Sequence, residues 1–252
     1  MSSIQTLMQA RYYIGTSGWS YAHWKEVFYP AGLSTKDWLG YYVKFFTSVE
    51  INNTFYRLPK EETFHNWQAM APAGFIFSVK ASRFITHVKR LKDAAEPVAN
   101  FINRARLLGN NLGPILFQLP PNWSLNIDRF TAFVNILPAG IAYVFEYRDS
   151  SWFDSRVYAL MSQRNLAFCI HDMAGLDCPR LVTSQLVYIR FHGVSAKYQG
   201  KYSPDQLASW SEFICQYLRQ GREVFVYFNN DAFGYALENA RELARLVGQS
   251  IG

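Results

Sequence analysis

Two carboxylates and two imidazoles stand where a general acid or base would be useful. Glu50 follows Val49 and precedes Ile51, and Glu146 follows Phe145 and precedes Tyr147. A carboxylate inside an apolar run costs free energy unless something pairs with it. His171 and His192 close two further apolar runs, and imidazole is the side chain that exchanges protons near neutral pH. Lys80, Arg148 and Arg190 end runs of the same kind, and a guanidinium fork suits carboxylate or phosphate. These types predict acid/base chemistry on an anionic small molecule. Glu50 and Glu146 serve as acid or base, and His171 or His192 as proton shuttle. Lys80, Arg83, Arg148 and Arg190 clamp the anion, and Asn52, Gln118 and Asn229 orient polar groups. Trp19, Tyr56, His87 and Asp231, in loops that follow strands, complete the expected substrate-binding set.

Each role has a competing reading. The charged residues could simply neutralise one another, although such buried networks are weak evidence for stability. An inward histidine is as often a hydrogen-bonded core residue as a proton shuttle. Lys80 could form a Schiff base, but a lysine flanked by ionised glutamates is harder to deprotonate. Glu50, Glu146, His171, His192 and Asp231 are suitable N/O ligands for a metal. No H-E-x-x-H or comparable spacing is present, and the interleaved Lys and Arg compete for the carboxylates. No metal and no cofactor is expected. Trp19, Tyr21, Trp24, Phe55, Tyr56, Trp123 and Trp152 lie at or after strand ends, where they would wall a pocket or pack the loops.

The elements that position these residues follow from apolar alternation and turn residues. Strands are expected at Tyr12–Thr16, Thr47–Asn52, Phe75–Lys80, Pro114–Leu119, Ala142–Arg148, Leu166–His171, Leu186–His192 and Glu223–Asn229. Helices are expected at Ser34–Phe46, Glu61–Met70, Asp93–Leu108, Asp128–Leu137, Ser151–Arg164, Pro204–Arg219 and Ala232–Val247. The connection Asp172–Ser184 has room for a turn of helix. The loop after the seventh strand carries Lys197, Tyr198, Lys201 and Tyr202. Alternating strands and helices over 252 residues predict an α/β fold, a (β/α)8 TIM barrel in one domain, 1–252, with its core over 12–248. A doubly wound sheet is the second choice, but no G-x-G-x-x-G follows the first strand.

Barrel strands turn alternate residues to the interior and to the helices. With Val49, Phe77, Phe117, Phe145, Ile170, Ile189 and Val226 facing the helices, the inward set is polar near the strand ends. It comprises Glu50 and Asn52, Ser78 and Lys80, Leu116 and Gln118, Glu146 and Arg148, Cys169 and His171, Arg190 and His192, and Tyr227 and Asn229. Only the first strand is ambiguous. Chance places a polar inward residue at one or two strand ends, not at seven, and polar groups that converge in a pocket mark binding sites.

The motifs resemble the YecE-like family, also called domain-of-unknown-function family number 72, over nearly the whole chain. They are Gly15-Thr16-Ser17-Gly18-Trp19-Ser20-Tyr21, Val49-Glu50-Ile51-Asn52-Asn53-Thr54-Phe55-Tyr56 and Phe77-Ser78-Val79-Lys80-Ala81-Ser82-Arg83 with Thr86-His87. Leu116-Phe117-Gln118-Leu119-Pro120-Pro121, Phe145-Glu146-Tyr147-Arg148 with Ser151-Trp152, Arg190-Phe191-His192-Gly193 and Tyr227-Phe228-Asn229-Asn230-Asp231 continue the match. The resemblance implies a TIM barrel and carries no established reaction.

Composition narrows the partners. Half of the residues are hydrophobic, enough for a large core, and the formal charge is +6. That excess suits an anionic partner without being the dense basic tract of a dedicated nucleic-acid binder. A nucleic-acid-binding or phosphodiester-cleaving barrel, contacting the backbone through Arg83–Arg90 and the loop aromatics, is the second functional reading. A non-catalytic ligand-binding protein is the third. Cys169, Cys178 and Cys215 have no disulfide or zinc spacing. Met1–Ala10 lacks the pattern of a signal peptide and no apolar run is long enough to span a membrane, so a cytoplasmic protein is expected.

Overall fold

Parallel strands with inward polar ends need a closed sheet to bring those ends together, and the computed structural model has one. It describes residues 11–194 and 199–251, so the expectations on Met1–Ala10, Lys197 and Tyr198 fall outside the described residues. The strands are β1 (Tyr12–Thr16), β2 (Ser48–Ile51), β3 (Ile76–Lys80), β4 (Leu112–Gln118), β5 (Tyr143–Glu146), β6 (Ala167–Asp172), β7 (Leu186–Phe191) and β8 (Glu223–Phe228). All pair in parallel, in the order β1-β8-β7-β6-β5-β4-β3-β2. The helices are α1 (Trp38–Tyr42), α2 (Asn53–Tyr56), α3 (Glu61–Met70), α4 (Ala95–Ala105), α5 (Ile127–Asn135), α6 (Ser155–Gln163), α7 (Pro204–Arg219) and α8 (Tyr235–Ile251).

Alternation separates two apolar layers. Val49, Phe77, Phe117, Phe145, Ile170, Ile189 and Val226 belong to the large core between sheet and helices. Leu116, Val144, Ala167, Cys169, Tyr188, Phe225 and Tyr227 form a second cluster inside the barrel. The first strand now reads unambiguously. Ile14 joins the outer layer, and Tyr13 stacks on Phe225 inside with ring centroids 4.6 Å apart.

The seam between β1 and β2 is nearly closed. A single bridge pairs Ser17 with Glu50. Beside it the Tyr42 hydroxyl of α1 accepts from the Thr16 amide at 3.0 Å and donates to the Ser48 carbonyl at 3.2 Å. Gly15 makes this approach possible, because a Cβ there would lie 2.1 Å from the Ser48 carbonyl oxygen.

The helices begin where side chains satisfy their free amides. Asn126, Asp154 and Ser203 cap α5, α6 and α7, and Ser203 forms a full capping box with Gln206 behind Pro204. The expected helix at Ser34–Phe46 is shorter, a 3-10 turn Thr35–Asp37 followed by α1. The β6–β7 connection carries no helix. Thr183 anchors it instead, accepting from the Phe168 amide at 2.9 Å and donating to the Leu166 carbonyl at 2.6 Å. Three short elements are not legible in the sequence, a 3-10 turn Ala22–Trp24 after β1, α2 after β2 and a π-turn Phe84–Val88 after β3. No helix of the described residues is long and apolar enough to cross a membrane.

Candidate functional site at the strand C-termini

The inward polar residues meet in a chain of ion pairs across the barrel. Arg190 of β7 spans the centre. Its Nη2 donates to Glu50 Oε1 at 2.7 Å and its Nη1 to Glu146 Oε2 at 2.5 Å. Arg148, two residues beyond Glu146, presses its Nη2 against Glu146 Oε1. Glu50 has two further donors, Ser17 Oγ at 2.8 Å and the Tyr188 hydroxyl at 2.7 Å. Below them the Tyr227 hydroxyl bonds Ser48 at 2.5 Å and Ser78 at 2.8 Å. Glu50, Glu146, Arg148 and Arg190 are all buried, so removing one partner strands a charge in a dry interior.

Electrostatics follow from these contacts. Burial alone would raise the Glu146 carboxyl, but the guanidiniums of Arg148 and Arg190, with His192, hold it well below the ordinary carboxylate range. Burial works against the charged form of Arg190 too, and Glu146 and Glu50 outweigh it, keeping that guanidinium firmly protonated. The two carboxylates and two guanidiniums therefore cancel.

The histidines lie beside this chain, with ring centroids 6.2 Å apart. Burial pushes both below the usual imidazole range, His192 strongly. In His171, Nε2 lies 3.0 Å from the Tyr147 carbonyl. A carbonyl only accepts, so Nε2 carries the proton and Nδ1 presents a lone pair. In His192, Nε2 lies 2.8 Å from Arg148 Nη2 and so accepts, while Nδ1 faces the Asn229 amide at 3.2 Å.

Several buried polar atoms at this level have no hydrogen-bond partner among the described residues. Asn52 Oδ1 beyond β2, Arg148 Nε beyond β5 and His171 Nδ1 on β6 are among them. Arg148 is further underused because its Nη1 meets only the weakly accepting sulfur of Met173. Orphaned buried polar groups are rare and need an explanation.

Lys80 departs from the sequence expectation. No carboxylate lies within ion-pair distance of it among the described residues. Its ammonium sits 4.1 Å from the centre of the Phe55 ring. Burial first, then Arg190, pushes the amine from its ordinary 10.5 to about 7, against the opposing pull of Glu146 and Glu50. His87 packs edge-on against the same Phe55 ring at 5.0 Å, and burial together with Lys80, Arg83 and Arg148 lowers it to about 4. A pH effect follows. Between pH 7 and 10.5 the unfolded chain carries a proton on Lys80 that the folded chain has lost, so this residue makes stability rise with pH there. K80M should remove that rise. The check is the difference in unfolding free energy between wild type and K80M at pH 7, 8 and 9.

The remaining expected residues are spread more widely. Gln118 ends β4 in register with Glu146. Arg83 is exposed, and Tyr56 is 73% exposed. Asp231 closes the rim between the first and last loops, with its carboxylate 3.3 Å from His23 Nε2 and its carbonyl 2.9 Å from the same atom. The structure does not bring Trp19 into the cluster. Its ring lies edge-on to Trp67 of α3 at 5.5 Å and near Phe77, in the layer between sheet and helices. Trp24 and Trp152 are likewise buried, the latter stacked on Tyr147 at 5.1 Å. Sequence reasoning misses Ser17 and Tyr188, and it turns Tyr227 inward without giving it a role. Alternation places Tyr188 two residues before Arg190, facing inward, but a tyrosine in an apolar run reads as core. Among the described residues no group of three His, Cys, Asp or Glu is placed to hold a metal ion.

A cavity of about 770 Å³ opens at the opposite, N-terminal end, lined by Arg11, Tyr143, Arg164, Leu186 and Glu223 among others. Its charged groups are already engaged, Arg11 with Glu223 at 3.0 Å and Arg164 with Asn135 at 2.7 Å. Among the described residues, unmet hydrogen-bonding capacity is concentrated at the strand C-termini.

Residues 13–251 match the model of a protein family described as "Protein of unknown function DUF72". The chain is similar to UPF0759 protein YunF of Bacillus subtilis, 24% identical, with 93% of this chain and 94% of that protein covered. Among solved structures it is similar to a DUF72 family protein, TM1631, of Thermotoga maritima, with a TM-score of 0.85, 28% identity, and 94% and 99% of the two chains covered. A DUF72 family protein of Enterococcus faecalis, EF0366, shares the fold at a TM-score of 0.81 and 20% identity, over 94% of this chain and 95% of its own.

Proposed function

We propose that this chain, which belongs to the DUF72 family, binds an anionic small molecule at the C-terminal mouth of its barrel and acts on it by acid/base chemistry. The observation that carries the reading is the set of unpartnered buried atoms, Asn52 Oδ1, Arg148 Nε and His171 Nδ1, above a self-neutralised ion chain. A ligand with a phosphate or carboxylate would bond Arg148 and offer donors to Asn52 and His171. Because Glu50, Glu146, Arg148 and Arg190 cancel, the rim residue Arg83 leaves the mouth positive, which suits an anion. Gln118 and Asn229 would orient the rest of the molecule.

Proton transfer falls to His171 in this reading. It is neutral, and its Nδ1 lone pair is available to take a proton. Glu50 and Glu146 are engaged by Arg190, Arg148, Ser17 and Tyr188, so they act by holding the guanidiniums in place. His192 links Arg148 to Asn229 and would relay or position.

The test begins with a thermal-shift screen of phosphorylated and carboxylated metabolites. For a compound that binds and is turned over, H171Q should retain binding within a few fold and lose about 10²–10⁴ in kcat. Equal turnover by H171Q would remove His171 from the chemistry.

A second reading rests on the rim. Tyr56 is 73% exposed, Phe84 46% and Phe233 78%, in the loops after β2, β3 and β8. Exposed rings near basic residues can stack on bases. Affinity for a single-stranded oligonucleotide that falls steeply with salt, and falls again in Y56A, would favour this reading.

A further inference from the structure

Lys80 is a basic residue at the mouth that the ion chain does not absorb. It ends β3, faces the barrel interior and is only partly covered. The glutamates that a barrel lysine would ordinarily pair with are taken. Glu50 binds Arg190, Ser17 and Tyr188, and Glu146 binds Arg190 and Arg148. Its ammonium nitrogen lies over the face of Phe55. An amine in an apolar, cationic setting loses its proton more readily than one at the surface, and the drop to about 7 agrees with that geometry. The objection that flanking carboxylates keep Lys80 protonated therefore lapses.

We propose that Lys80 is a nucleophile that forms an imine with an aldehyde or ketone carbon of the anionic ligand. This deepens the anion-site reading and rests on it, since Arg148 would hold the anionic group while Lys80 meets the carbonyl. The neutral amine adds its lone pair to the carbonyl carbon, giving a carbinolamine. The nitrogen gives up a proton, the hydroxyl takes one and leaves as water, and a C=N bond replaces C=O. No oxidant or reductant is consumed. The protonated imine then draws electrons from the neighbouring carbon, where His171 could remove a proton.

Glyoxylate, the smallest aldehyde that carries a carboxylate, tests this with cyanoborohydride as trap. Hydride from the trap adds to the imine carbon and fixes the adduct as a secondary amine. At pH 7 the Lys80 peptide should acquire the adduct about tenfold faster or more than the peptides of exposed Lys36 and Lys60, which serve as internal controls. K80R should lose that adduct and keep the others. Labelling of Lys80 no faster than of Lys36 and Lys60 overturns the proposal, whether or not K80R folds. Inorganic phosphate, which cannot form an imine, separates the two readings. If phosphate raises the Tm of wild type and Lys80 stays unlabelled, the imine fails and the anion site stands.

Discussion

R190M should lower the unfolding free energy by about 3–5 kcal/mol, the largest loss expected from any single substitution at the mouth. Arg190 is buried and bridges Glu50 at 2.7 Å to Glu146 at 2.5 Å. Methionine fills similar volume, so the loss reflects charge and not a cavity. Among the described residues it leaves Glu50 with Ser17 and Tyr188, and Glu146 with Arg148, with His192 Nε2 3.6 Å away and the weak donor Cys169 Sγ 3.9 Å away. The exposed pair Arg245–Glu242 is the contrast, because E242Q should change stability by about 1 kcal/mol or less. Urea unfolding of the three proteins provides the comparison. Adding E50Q and E146Q to R190M should recover much of the loss, since replacing a whole buried ion network is far cheaper than breaking it. A loss below about 1 kcal/mol for R190M would mean that the ion chain is solvated and is no rigid base for a site.

R148Q should weaken phosphate binding by roughly 10- to 100-fold, the value of about 1.5–3 kcal/mol for a hydrogen bond to a charged group. Arg148 is suited to this part because its bonding is incomplete. Its Nη2 meets Glu146 and His192, its Nη1 meets a sulfur, and its Nε meets nothing among the described residues. Removing it leaves Glu146 with Arg190, so the fold should survive and calorimetric titration can be read directly. R148K should fall between wild type and R148Q, keeping the charge and losing the planar fork. Unchanged phosphate affinity in R148Q would take Arg148 out of the site.

The sequence carries much of this architecture. All eight strands start and stop within two residues of where apolar alternation places them, because a residue between two layers must be apolar on the helix side. The same rule turns Glu50, Lys80, Glu146, His171 and Arg190 inward. It says nothing about partners. That Arg190 reaches both glutamates depends on the diameter of the ring and on side-chain torsions, which alternation does not encode. Lys80 was read as flanked by carboxylates because strand order places charged residues nearby, whereas Phe55, delivered by the unread turn α2, is what it touches. Trp19 and Trp152 follow strand ends as pocket residues would, but each turns back into the apolar layer, where burying a large ring is more favourable. Tyr188 and Tyr227 show the converse error, apolar by type yet placed by their hydroxyls.

The central claim is that the unpartnered atoms at the strand C-termini face a ligand. Nitrogen-15 NMR of the side chains during a phosphate titration tests it most directly. The account predicts that Arg148 Nε, the Asn52 amide and the His171 ring shift along one saturating curve. Arg11 and Arg164, at the cavity of the opposite end, should not move. Saturating shifts at Arg164 and Arg11 with none at Arg148, Asn52 or His171 would contradict it.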